Sequence, residues 1–125
     1  MRSAWYNGIP DTKTARLVVE LSSADACYSR EEDTIWVRLG EGNLTDTDNL
    51  DPVRWPIWRV QLIHEMLHEF QYKVVGAAVS AAGRNLCQQH QDKFFGPGHD
   101  EAFFTAIAKV APCFQLTPEQ LIKWI

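Results

Sequence analysis

His64-Glu65-Met66-Leu67-His68 sets two imidazoles four positions apart, with a carboxylate directly after the first. On a helix, residues four apart lie one turn from each other on the same face, so both rings can reach a single ion at about 2.0 to 2.1 Å. Glu65 then projects beside that face without being a ligand, where it can accept a proton from water. Zinc can lower the pKa of water from about 15.7 to about 7, so the HExxH trio has the parts of a hydrolytic centre at neutral pH. The plain alternative is two ordinary histidines flanking a glutamate on an amphipathic helix. A full HExxH inside a segment that is helical on separate grounds favours the metal.

A catalytic zinc site needs a third protein ligand and one position left for water. The downstream candidates are His90, His99, Asp100 and Glu101. The HExxHxxGxxH spacing is absent, because Gln71 and Val74 stand three and six positions after His68, and no Met follows His99 to make a Met-turn. His99 comes directly after Gly96-Pro97-Gly98, at the mouth of a helical stretch that Phe103 anchors in the core. Glu101 would complete a His-His-Glu set, but a first-turn acid favoured by the helix dipole is the plainer use. His90 lies in a polar run and reads as a solvent histidine. Asp100 fits either an N-cap or a hydrogen-bond acceptor for a ligand imidazole.

The element that must carry the trio is a long helix from Pro56 to Val75, with Gly76 as its stop. Its apolar residues Ile57, Val60, Ile63, Leu67, Phe70 and Val74 recur at three and four, a single buried face with His64 and His68 at its edge. Before it, Ala15 to Leu21 and Asp33 to Leu39 are short, β-branched and bounded by polar residues, so both predict strands. The run between them, from Ser22 to Asp33, reads as a loop, and the Gly-, Asn- and Asp-rich stretch from Gly40 to Pro52 as an exposed loop. Thr34 to Leu39, the last strand before the helix, is the candidate edge for an extended substrate held by main-chain hydrogen bonds. Ala77 to Phe95 is helical in part, interrupted at Gly83. Asp100 to Ala111 places Phe103, Ile107 and Val110 on one helical face that Pro112 ends. Thr117, Pro118 and Gln120 form a capping box that starts a last helix. No residue clearly nominates itself to stabilise an oxyanion: Tyr72, one turn beyond His68, could approach the site, but packing is the commoner fate of a buried or boundary Tyr. Trp36, Trp55 and Trp58 read as core and rim packing.

Length bounds the rest. The 125 residues suit one domain, and a hydrophobic fraction of 46% suits one buried core. A net charge of −4, with basic residues scattered, gives no field that draws the chain to nucleic acid. Three distant cysteines without a CxxC pair read as free thiols, and no apolar run suggests a signal peptide or a membrane span. The expectation is a soluble, cytoplasmic monomer.

The motifs HEMLH (His64 to His68) and GHDEAF (Gly98 to Phe103) together resemble the SprT-like, Spartan-related zinc metallopeptidases. That family pairs a helix-borne HExxH with a later GHGxxF, and Gly98, His99 and Phe103 fall on the second pattern. The likeness covers about Arg59 to Val110. It departs at Asp100, where the family has Gly, and at Glu69, where a small residue is common. The resemblance implies an α+β zincin-like fold, a small sheet packed on the HExxH helix, with Zn2+ on His64, His68 and His99. It also implies Glu65 as general base in hydrolysis of a protein or peptide, and association with DNA, which the charge does not support. The competing expectation is a non-catalytic module that zinc staples together to bind a partner.

Overall fold

The computed structural model describes residues 13–22, 24–39, 56–94 and 96–125. The expected loop from Gly40 to Pro52 and Trp55 lie outside them. The described chain is α+β: a three-stranded mixed sheet, then four α-helices. It divides into two compact units, residues 15–66 with 124–125 and residues 13–14 with 67–123.

In the first unit, β1 (Arg16–Glu20) and β3 (Thr34–Arg38) form where β-branched residues predict strands. A third strand, β2 (Cys27–Ser29), arises inside the run expected to be a loop. The strand order is β1-β3-β2, with β1 parallel to β3 (Arg16 opposite Thr34) and β2 antiparallel to it (Tyr28 opposite Ile35). A turn joins β2 to β3: Asp33 adopts φ 48°, the Tyr28 hydroxyl donates to Asp33 Oδ1 at 3.1 Å, and Ser29 Oγ accepts the Glu32 N–H at 3.2 Å. Short polar side chains tolerate that left-handed backbone because they bond locally. The topology corrects the edge assignment of Thr34 to Leu39. β3 is paired on both sides, so its N–H and C=O groups cannot also hold a substrate strand. Ile35 and Val37 point into the core, whereas Leu17 and Val19 on β1 are exposed.

Helix α1 (Ile57–Phe70) follows. Ile63, Leu67 and Phe70 are buried as the periodicity predicts, and Met66 joins them. Trp58 is about half exposed rather than packed, since it stands nine positions, about two and a half turns, from Leu67 and so faces the other way. The main chain then widens into a π-helical turn, Gln71–Val75, closed by a 2.9 Å bond from the Gly76 N–H to the Gln71 carbonyl. The extra residue in that turn rotates the buried stripe by one, so Val75 is buried where Val74 was expected. Gly76, at φ 51°, ends the helix as predicted.

The second unit is built on α2 (Ala81–His90) and α3 (Glu101–Val110), followed by α4 (Pro118–Trp124). Gly83 does not interrupt α2. A Cβ there would lie 1.9 Å from Thr105 Oγ1 and 2.7 Å from the Thr105 backbone, so glycine is what lets α2 and α3 approach. Ser80 locks the contact: its Oγ accepts the Gly83 N–H at 3.0 Å, while its own N–H donates to Thr105 Oγ1 at 3.1 Å. Phe103, Ile107 and Val110 are buried as expected, and Phe104, Thr105 and Ala106 are buried with them, making α3 a core helix. The Thr117 box is reciprocal, at 2.8 Å from the Thr117 N–H to Gln120 Oε1 and 3.2 Å from the Gln120 N–H to Thr117 Oγ1. The cysteines are free thiols. Among the described residues, no helix is long and apolar enough to cross a membrane.

Candidate metal centre

α1 places His64 and His68 one turn apart, both half-buried, at the border of its apolar stripe. His99 reaches the same place from a turn. Gly96 and Gly98 adopt φ 88° and 93°, which L side chains rarely take, and they bend the chain sharply around Pro97. Asp100 then starts α3: its Oδ1 accepts the N–H groups of Ala102 at 3.0 Å and Phe103 at 3.1 Å. Of the two uses foreseen for Asp100, the N-cap is the one formed; it contacts no imidazole directly.

One ligand atom from each of His64, His68 and His99 lies within 4.8 Å of the other two. The three histidines are thus close enough to hold one metal ion. His90 ends α2 and Glu101 is the exposed first residue of α3; neither belongs to the cluster. Glu65 is also outside it.

The hydrogen bonds around His68 bear on whether a metal suits these rings. Gln71 Nε2 donates to the Gly98 carbonyl at 3.0 Å and to Asp100 Oδ1 at 2.9 Å. A carbonyl only accepts, so the Gln71 amide is oriented, and its Oε1 faces His68 Nδ1 at 2.8 Å. Nδ1 must therefore carry the hydrogen, which leaves the lone pair of neutral His68 on Nε2. That nitrogen lies 3.2 Å from His99 Nε2. Two ligands about 2.0 to 2.1 Å from one tetrahedral ion stand roughly 3.3 Å apart, so the pair has the separation of co-ligands. Burial, opposed by the Gln71 bond, lowers the His68 pKa to about 4, which keeps the ring neutral as a ligand must be.

Aromatic rings support the imidazoles. Phe103, fully buried, stacks on His68 at 4.7 Å and meets His99 edge-on at 4.9 Å, so the residue expected to anchor α3 also underlies two of the three rings. Phe94 stacks on His99 at 5.4 Å and packs edge-on against Phe103 at 5.4 Å. Tyr72 stacks loosely on His68 at 6.4 Å, and its hydroxyl would lie 3.5 Å from a Cβ at Gly98.

Glu65 is 8% exposed. Burial raises its pKa to about 8, and the Tyr28 N–H donating to its carboxylate opposes that rise. The end of β3 meets α1 as well, where Gln61 Oε1 accepts the Arg38 N–H at 3.0 Å. Gln71 and Phe94 escaped the reading of the sequence. A polar residue three positions after His68 is adjacent on a helix, and that was the signal for Gln71; Phe94 gave none beyond its place before the glycine turn. No family model matches the chain, and neither the curated proteins nor the solved structures contain a significant match.

Proposed function

We propose that the chain is a zinc-dependent peptidase, SprT-like and zincin-like in its site, that hydrolyses a peptide bond of a protein or peptide substrate. The observation that supports this reading is the convergence of His64, His68 and His99, with the Nε2 atoms of His68 and His99 3.2 Å apart. Imidazole sets suit several transition metals, and a three-His site with an open position is the arrangement of catalytic zinc. Bound there, zinc would act as a Lewis acid toward a carbonyl and lower the pKa of water to about 7.

The chain's own groups divide the remaining work. His64, His68 and His99 hold the ion, and Phe103 and Phe94 fix the ring planes. Glu65 takes the proton from the attacking water and passes it to the leaving amine; a buried carboxyl of raised pKa can do both near neutral pH. β2, an edge among the described strands, offers main-chain groups to an extended substrate in place of β3.

The test joins metal analysis to peptide cleavage. Purified protein should carry about one zinc per chain and digest a casein-type substrate, with loss of digestion on chelation. Glu65→Gln should keep zinc and lose turnover, whereas His68→Ala should lose both; cleavage by Glu65→Gln at the original rate would overturn the role of Glu65. One feature favours the rival, a zinc-stapled module without catalysis: Glu65 is nearly buried and already bonded to Tyr28. Zinc binding with no chelator-sensitive cleavage of any peptide would decide for that rival.

A further inference from the structure

We propose that Gln71 is a positioning residue of the metal centre, one amide that sets the tautomer of His68 and holds the turn that delivers His99. The proposal rests on the metal reading above. Gln71 is 2% exposed, too deep for a polar side chain unless every polar atom is used. They are used in one direction only. Nε2 spends its two hydrogens on the Gly98 carbonyl and Asp100 Oδ1, which flank His99 in the chain, and Oε1 is left to accept from His68 Nδ1. Rotating the amide by half a turn would set its NH2 against His68 and its oxygen against two acceptors, so the three bonds stand or fall together.

Helical spacing makes this possible. Gln71 stands three positions after His68 and four after the buried Leu67, on the face that meets the glycine turn, and the π-helical turn starts from it. His64 and His68 hold their spacing without help, whereas His99 depends on a turn whose glycines supply little rigidity. Gln71 ties that turn to the ring it must meet. In a metal site such outer partners matter about 10- to 100-fold in affinity.

The test uses the full chain, zinc titration against a chelating indicator, and long-range 1H–15N NMR of the histidine rings without metal. The unaltered chain should show His68 as the Nδ1–H tautomer; an Nε2–H tautomer would overturn the proposal whatever the variants do. Gln71→Leu should bind zinc about 10- to 100-fold more weakly, with helical circular dichroism retained. Gln71→Glu keeps an acceptor for His68 but no donor for the turn, so its His68 tautomer should survive while affinity still falls. Should Gln71→Leu fail to fold, Gln71→Glu and the NMR of the unaltered chain carry the decision. Zinc affinity unchanged in either folded variant sinks the proposal alone; absence of zinc binding by the unaltered chain sinks the metal reading and the proposal with it.

Discussion

The ligands come from two kinds of structure, and the difference lies in what holds them. His64 and His68 sit on α1, where the four-residue spacing sets their separation and the buried Ile63, Met66 and Leu67 hold the helix. His99 sits on a turn assembled from parts distant in sequence: two positive-φ glycines, the Asp100 cap, the rings of Phe94 and Phe103, and the amide of Gln71. The first kind of placement survives loss of stability as long as the helix exists. The second can fail while the protein stays folded.

The largest expected effect tests the first half. Leu67 is fully buried beside His68 in the chain, and Leu67→Ala should cost about 2 to 5 kcal/mol in the metal-free protein, read as a fall in denaturant midpoint. Below its transition, that variant should bind zinc nearly as the unaltered chain does, because the helical spacing of His64 and His68 is local. Gly98→Ala should behave in the opposite way. The added Cβ meets Tyr72 Oη and His68 Cε1 only at ordinary contact distances of 3.5 and 3.6 Å, so the burden is backbone strain at φ 93°, about 1 to 3 kcal/mol. A chain that relieves the strain moves the His99 turn, so zinc affinity should fall further than stability does. Equal losses of stability and affinity in both variants would erase the distinction.

The same division explains what could be read beforehand. α1, the HExxH trio, β1, β3 and the capping box of α4 follow from patterns that repeat or bond within a few residues, and each formed where its pattern lies. β2 is three residues long in a polar run; it is a strand because β3 offers it a partner, which no local period encodes. Gly83 looked like a break because its value lies in the backbone of Thr105, 22 positions away in the chain. Gln71 stands beside His68 on the helix, but the partners of its amide hydrogens, Gly98 and Asp100, lie 27 and 29 positions away. His99 was legible as a candidate from its place after the glycine turn, but its convergence with His68 depends on contacts that the sequence does not spell out.

Asp100→Ala removes an N-cap and an acceptor for Gln71 together, and should cost about 1 to 2 kcal/mol while weakening zinc binding. Asp100→Asn keeps a side-chain oxygen that can accept all three bonds, so it should recover most of both losses. Recovery of stability without recovery of affinity would mean that the charge of Asp100, rather than its cap, serves the site.

The smallest effect supplies the control that the comparison needs. Thr117 caps α4 through the same chemistry as Asp100 caps α3, a side-chain oxygen accepting a backbone N–H in the first turn. It contributes no bond to the Gln71 amide or to the glycine turn. Thr117→Ala should therefore cost about 0.5 to 1 kcal/mol, visible as a shift of a few degrees in melting, with zinc affinity unchanged. Asp100→Ala and Thr117→Ala lose the same type of cap, and only the first disturbs the His99 turn. If both weakened zinc binding alike, the affinity would be tracking general stability, and the tertiary turn would hold no special place in building the site.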